Sequence, residues 1–211
     1  MIARWLDGPH AKNLAKVFVA LWFAIALTLS VTGWFERFNA STLFEVGTAT
    51  TITGFTVLYA LDARFRSKVR PRDLRHLTYW QALRFYGMLA FVKEYQHILP
   101  AVFAIPTGLM DVAFAGSSFF IARRFAAVRG RPSPVFFLWH AAGLGALAIS
   151  NILVYLTESP RFGLVEGDVT SQSMAWFPMS MVPTFIGPMV LIFHLLAICD
   201  GRREGASAEH K

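Results

Sequence analysis

Four ionisable side chains, Lys93, Glu94, His97 and Asp111, stand close together inside otherwise apolar sequence. Ionisable groups are costly at bilayer depth, and they persist there by pairing, by lining a water-filled cavity, or by carrying protons or ions. On a helix, His97 lies three residues from Glu94 and four from Lys93, so its imidazole can contact either side chain. The pattern predicts a small polar site near the end of a helical hairpin.

The charges at this predicted site do not balance. Glu45, Glu94 and Asp111 are expected at a similar depth, while Lys93 is the counter-charge. A low-dielectric site with excess negative charge requires protonated carboxyls or a bound cation. We therefore expect proton- or cation-linked passage or sensing of a small solute through an outward-facing polar cavity, whose binding residues are Glu45, Lys93, Glu94, His97, Asp111, Asn151 and Tyr155. The alternative is a structural pair of Lys93 with Glu94 or Asp111, with Glu45 simply exposed at the interface.

A second candidate site is the pair His140 and His194. They are expected at similar depth on two adjacent antiparallel helices, and a pair of imidazoles suits a b-type haem or a divalent metal. This would make the protein a membrane cytochrome, although two such histidines can also hydrogen-bond neighbouring helices. A third set, weaker because methionine is common in apolar helices, suits Cu(I) and consists of His97, Met110, Met174, Met179 and Met181.

No catalytic motif stands out. The chain has no nucleophile elbow, no phosphate-cradling glycine loop and no His-Glu-x-x-His motif. The trio Lys93, Glu94 and His97 could do acid–base work on a lipid, so an enzyme stays open without being favoured. An accessory subunit of a larger membrane complex is a further alternative.

The elements that position these residues are predicted to be membrane helices. The chain has 211 residues, of which 55% are hydrophobic. Asp, Glu, Lys and Arg are missing from residues 17–35, 46–61, 132–157 and 169–199, and three of these runs exceed the roughly 18 residues that span a bilayer. We expect an all-α, single-domain bundle over residues 1–211 with six transmembrane helices, at about residues 15–35, 42–62, 81–100, 107–123, 133–156 and 176–199.

Charge gives an orientation for such a bundle. With six helices, most Lys and Arg fall on one side, in the segments before helix one, after helices two and four, and after helix six. Positive charge stays cytoplasmic, so both termini are predicted inside. The net charge of +7 is divided among these loops, where anionic lipid explains it and a nucleic-acid partner does not. The expected partners are the lipid bilayer, a small solute or ion and, in the accessory-subunit case, other membrane proteins.

Prolines interrupt the predicted helices in two places, around residues 101–105 and in helix six. Two prolines flank residues 101–105, which predicts a turn or short re-entrant piece there. In helix six, Pro183 and Pro188 remove the usual donors from the carbonyls of Met179 and Thr184. Inside a membrane those carbonyls need donors from neighbours, side chains or water.

Two runs carry a family resemblance. Residues 99–111 read Leu-Pro-Ala-Val-Phe-Ala-Ile-Pro-Thr-Gly-Leu-Met-Asp, and residues 177–194 contain Pro-Thr-Phe-Ile-Gly-Pro followed by His194. Both resemble signatures of a widespread group of small bacterial integral membrane proteins without an assigned activity. The resemblance implies a multi-pass protein of the bacterial cytoplasmic membrane, and it implies no mechanism.

Overall fold

The computed structural model describes residues 9–61, 74–126, 132–165 and 167–209, and its side chains are described within residues 16–60, 74–126, 132–165 and 167–202. These ranges are helical, with no strand among them. The long helices are α1 (Pro9–Val31), α2 (Ala40–Leu61), α5 (Ala101–Arg124), α6 (Pro134–Thr157) and α7 (Gly187–Glu209). Between α2 and α5, a continuous helical segment consists of α3 (Leu74–Tyr79), a 3₁₀ stretch (Trp80–Gly87) and α4 (Met88–Tyr95). A π-helical turn (Val182–Ile186) leads into α7.

Three helices are long and apolar enough to cross a membrane: Ala101–Arg124, Pro134–Thr157 and Val182–Arg202. Their outer faces carry large apolar side chains that the fold leaves uncovered, such as Leu138 and Phe120, which are 71% and 61% exposed. Patches of this kind are unusual on a soluble monomer and suit contact with lipid. These three helices are compatible with the membrane character expected from the sequence.

The packed centre of the molecule is formed by α5, α6, α7 and the 74–95 segment. One apolar cluster lies at the end of the bundle where α5 begins and includes Leu99, Phe103 and Val154. A second lies at the opposite end and includes Leu77, Phe136 and Leu196. The buried polar side chains described below lie between these two clusters. Helix α2 packs on α6 and α7, whereas α1 packs mainly against the π turn.

The 3₁₀ stretch gives the bundle its polar interior. Thr78, Gln81, Arg84 and Gly87 recur every three residues, and all four are buried. Side chains three apart eclipse each other in a 3₁₀ helix, whereas in an α-helix they drift steadily around the axis. The 3₁₀ geometry therefore holds Gln81, Arg84 and Gly87 in one column that faces α5, α6 and α7, and Thr78 comes before this column in the last turn of α3. Runs of 3₁₀ helix longer than three or four residues are uncommon, so a stretch of eight residues is unusually long.

The π turn resolves the proline problem that the sequence predicts. The carbonyl of Thr184, which Pro188 leaves without its helical donor, accepts a hydrogen bond of 3.1 Å from Trp22 Nε1 on α1. The carbonyl of Met179 accepts from the backbone N–H of Val182 at 2.9 Å. Both carbonyls therefore have a donor within the protein, as the sequence requires, and the bond from Trp22 joins α1 to the π turn.

Several predicted helix boundaries are wrong. The predicted turn at residues 101–105 is the first part of α5, which begins at Ala101 rather than 107 and contains Pro106 in its interior. The helix predicted over 81–100 instead begins at Leu74 and ends at Tyr95. Pro106 is the sixth residue of α5, so its missing N–H leaves the carbonyl of Val102 without its usual helical donor. Residues 62–73, which hold most of the predicted basic loop, lie outside the described part of the chain.

Candidate functional site

A buried ion pair lies at the centre of the bundle. Arg84 Nε donates to Asp111 Oδ1 at 2.9 Å, and the two side chains are 2% and 22% exposed. Arg84 reaches Asp111 from the polar column of the 3₁₀ stretch, while Asp111 stands ten residues into α5. The guanidinium also lies over the ring of Phe114, 4.6 Å from its centroid. A buried charge of this kind is stabilised only by a partner, and here each member is the partner of the other.

The polar contacts continue from Arg84 to a pair of histidines. Arg84 Nη1 lies 3.4 Å from His194 Nε2 and 3.4 Å from the carbonyl oxygen of Gly143. His194 Nδ1 lies 2.8 Å from His140 Nδ1, and His140 Nε2 lies 3.3 Å from the Thr78 hydroxyl. The hydroxyl in turn donates to the carbonyl of Leu74 at 3.0 Å. Thr78, His140 and His194 are completely buried. We call Asp111, Arg84, His194, His140 and Thr78 the buried network.

Aromatic rings and one glycine hold the histidines in place. Trp139 lies 4.9 Å from the ring of His140 and 5.8 Å from that of His194, centroid to centroid. The indole itself is fixed by a 2.9 Å hydrogen bond from its Nε1 to Ser117 Oγ on α5. Gly143 on α6 allows His194 to approach, because a Cβ at that position would overlap the imidazole ring. The imidazoles therefore have few alternative positions.

A small cavity opens beside the ion pair. Its volume is about 30 Å³, and Arg84, Asp111, Tyr86, Leu147 and residues of the π turn and the start of α7 line it. Tyr86 is fixed at its edge by a 2.7 Å hydrogen bond to the carbonyl of Pro178. A cavity of that size holds one or two water molecules and no organic solute.

One protein-family model matches the part of the chain that contains the buried network and the cavity. The model of a family described as a domain of unknown function (DUF8737) matches residues 41–200. The chain belongs to this family. The matched residues include every member of the buried network. No curated protein and no solved structure matches the chain.

Asp111 is the one residue of the sequence-predicted solute site that belongs to the buried network. Its partner is Arg84, so the alternative in which Lys93 pairs with Asp111 is wrong. Because α5 begins at Ala101, Asp111 lies about 15 Å from that end of the helix. Glu94 is in the last turn of α4 and therefore does not share its depth.

The other predicted charged residues lie apart from the network. Lys93 contacts Gln96 Oε1 at 3.4 Å, and Glu45 is exposed on α2. Among the residues whose side chains are described, neither Glu45 nor Glu94 has an ion-pair partner. The three carboxylates are not gathered around Lys93, and the charge imbalance inferred from the sequence does not arise.

His97 has a structural place in the backbone. It adopts φ 55° directly after α4, and its amide N–H donates to the carbonyl of Glu94 while that of Ile98 donates to the carbonyl of Lys93. This is the hydrogen-bond pattern of a Schellman motif, with His97 at the left-handed position. Its side chain is exposed.

The last two predicted residues are on α6. Asn151 donates to the carbonyl of Leu147 and accepts from Thr48 of α2 at 3.3 Å, which ties α6 to α2. Tyr155 is 44% exposed and packs beside Phe162.

The histidine pair does not fit a haem in this arrangement. Two imidazole nitrogens on opposite sides of one metal stand roughly 4 Å apart, because each metal–nitrogen bond is about 2 Å long. Here the facing nitrogens are 2.8 Å apart, which is the distance of a direct hydrogen bond. No group of three metal-ligating residues occurs within the described ranges. The methionines predicted for copper mostly serve packing, since Met174, Met179 and Met181 are buried in the apolar clusters and His97 points away to solvent.

Sequence reasoning missed Arg84 and Thr78. Arg84 comes soon after the arginine-rich segment 64–75 in the sequence, yet its side chain is buried in the bundle. The signal that could have found both is the spacing of three between Thr78, Gln81 and Arg84, because polar residues at every third position share one face of a 3₁₀ helix.

Proposed function

We propose that this protein is a multi-pass membrane protein that links the passage or sensing of a small solute to proton binding at the buried network. The observation that carries the proposal is the Arg84–Asp111 pair joined to two buried imidazoles. Ionisable residues in this position are expensive, and chains of carboxylate and histidine residues are the usual proton relays of membrane transporters.

The size of the cavity favours the proton as the species bound at the network itself. A volume of about 30 Å³ admits water and excludes organic solutes. Asp111 is the network member with appreciable exposure, so it is the group that exchanges protons with this water. In this proposal the solute binds outside this cavity or to another conformation of the protein, and the buried network binds the proton.

The lengths of the helical segments support six membrane crossings. Segment 74–95 is about 37 Å long when its α and 3₁₀ parts are added, and α2 is about 33 Å long. Both suffice for a hydrocarbon core of about 30 Å. Together with α1 and the three apolar helices, they give six crossings with both termini in the cytoplasm, as the distribution of Lys and Arg predicts. A bacterial cytoplasmic membrane is the proposed location.

The test is solute-dependent proton movement in liposomes. Purified protein is reconstituted with a pH-sensitive dye inside, a pH gradient is imposed, and a small-molecule extract of bacterial cells is added outside. Wild-type protein should change the internal pH when the extract is added. Asp111→Asn should abolish that response while the protein still elutes as a folded particle.

The matched control is Glu45→Gln, which removes an exposed carboxyl on α2 and should keep the wild-type response. A response of Asp111→Asn equal to wild type would remove Asp111, and with it the proposed proton site, from the function.

A further inference from the structure

The hydrogen-bond chain through the histidines has a single polarity. A guanidinium donates only, so His194 Nε2, 3.4 Å from Arg84 Nη1, must accept. A neutral His194 therefore carries its proton on Nδ1 and donates to His140 Nδ1 at 2.8 Å. His140 then carries its proton on Nε2, directed at the Thr78 hydroxyl, which donates to Leu74. The opposite arrangement would set an N–H of His194 against an N–H of Arg84.

Arg84 interrupts any continuous relay between Asp111 and the imidazoles. A relaying group must accept a proton on one side as it releases one on the other. The guanidinium keeps all its protons in a protein and has no acceptor atom. A proton on the Asp111 carboxyl therefore cannot reach His194 Nε2 through Arg84, because the new N–H bond would have to form where the guanidinium already donates.

We propose that Arg84 is a proton barrier that divides the network into an outer carboxyl side and an inner imidazole side. Asp111 exchanges protons with the cavity, whereas the histidine pair leads only to the Thr78 hydroxyl and the carbonyl of Leu74. The inference deepens the proposed function and rests on it for its biological meaning. It adds the rule that protons are not conducted unless the bundle changes shape and Arg84 moves.

Electrostatics makes the two sides compete for one proton. With Asp111 ionised, the network is neutral; one added proton gives it a single positive charge wherever it binds. A second would place two uncompensated charges in the interior, where such charge is heavily penalised. Among the described side chains, the charged or titratable groups that face these sites are Arg84 itself, Asp111, the two histidines, and Tyr86 at the cavity. The network therefore holds at most one added proton, on one side of Arg84 or the other.

The first test needs no solute and no transport. Protein with ¹⁵N-labelled histidine is studied by NMR, with His140→Gln and His194→Gln to assign the signals. The wild-type spectrum should show His194 protonated at Nδ1 and His140 protonated at Nε2. The reverse pair of tautomers would overturn the proposed role of Arg84, whether or not the protein proves to be proton-linked.

The second test measures proton leak in liposomes without any added solute. Wild type should hold an imposed pH gradient, since Arg84 closes the path. The double variant Arg84→Ser with Asp111→Asn removes both charges together and leaves room for water between the two sides, so its proton leak should rise at least about tenfold.

Leu191→Ser is the control, because it truncates a buried side chain of α7 outside the network and should stay tight. A wild type that conducts protons freely, or a folded double variant no leakier than the control, would overturn the barrier. If the double variant does not fold, the tautomer measurement decides.

Discussion

At the scale of single residues, Gly143 shows how little freedom the network has. Its missing side chain is what allows the His194 ring to reach α6, and its carbonyl lies 3.4 Å from Arg84 Nη1. Two residues further along the same helix, Gly145 faces open space. The two glycines thus form a natural pair of test positions, one inside the network and one outside it.

Gly143→Ala should push His194 away from His140 and destabilise the protein by about 1–3 kcal/mol, the usual cost of overpacking a filled interior. Gly145→Ala should be neutral or slightly stabilising, because alanine favours helix more than glycine. Thermal unfolding of the two variants in detergent measures the difference. Equal midpoints would mean that His194 does not pack against α6 as described.

Residue chemistry explains what could be predicted of the site. Asp111 was identifiable because a carboxylate in an apolar run stands out whatever its partner. His140 and His194 were correctly expected to lie close together, because two histidines at a similar depth on adjacent helices can contact each other. Arg84 was not identifiable by residue type, because the arginines shortly before it in the sequence are those of a predicted cytoplasmic loop. Its burial follows from backbone geometry that composition does not reveal.

At the scale of elements, two irregular helical segments position the side chains of the buried network and the cavity. The 3₁₀ stretch Trp80–Gly87 aligns the polar column, and the π turn Val182–Ile186 lines the cavity. Irregular helical turns of both kinds recur at functional sites. Their boundaries were the weakest part of the sequence prediction, because hydropathy reports that a segment is apolar and says nothing of 3.0 or 3.6 residues per turn. The long regular helix over 133–156, by contrast, was predicted within about one residue of Pro134–Thr157.

The position of the π turn depends on the close approach of α2. A Cβ at Gly47 would overlap the backbone carbonyl of Pro183, and a backbone group cannot swing aside as a side chain can. Gly47→Ala should therefore cost about 1–3 kcal/mol of stability. Gly54→Ala on the same helix meets nothing and should cost nothing. Unfolding curves of both variants check this, and a harmless Gly47→Ala would place α2 farther from the π turn than described.

At the scale of the whole molecule, the described helices are largely apolar and close around the buried network. The apolar clusters at the two ends separate that network from the ends of the bundle, and the uncovered outer faces suit lipid. The class of fold followed from composition and run length alone. Which charged groups the bundle encloses depended on the lengths and starting points of its helices, and a shift of six residues at the start of α5 was enough to move Asp111 away from its expected neighbours.

The most direct test of this account is a double-mutant cycle on the free energy of unfolding, with Arg84→Met, Asp111→Asn and the two changes combined. Removing one member of a buried pair leaves the other charge or its polar partner unpaired and should cost about 3–5 kcal/mol, whereas removing both should restore most of the wild-type stability. A double variant whose loss equals the sum of the two single losses would contradict the buried pair.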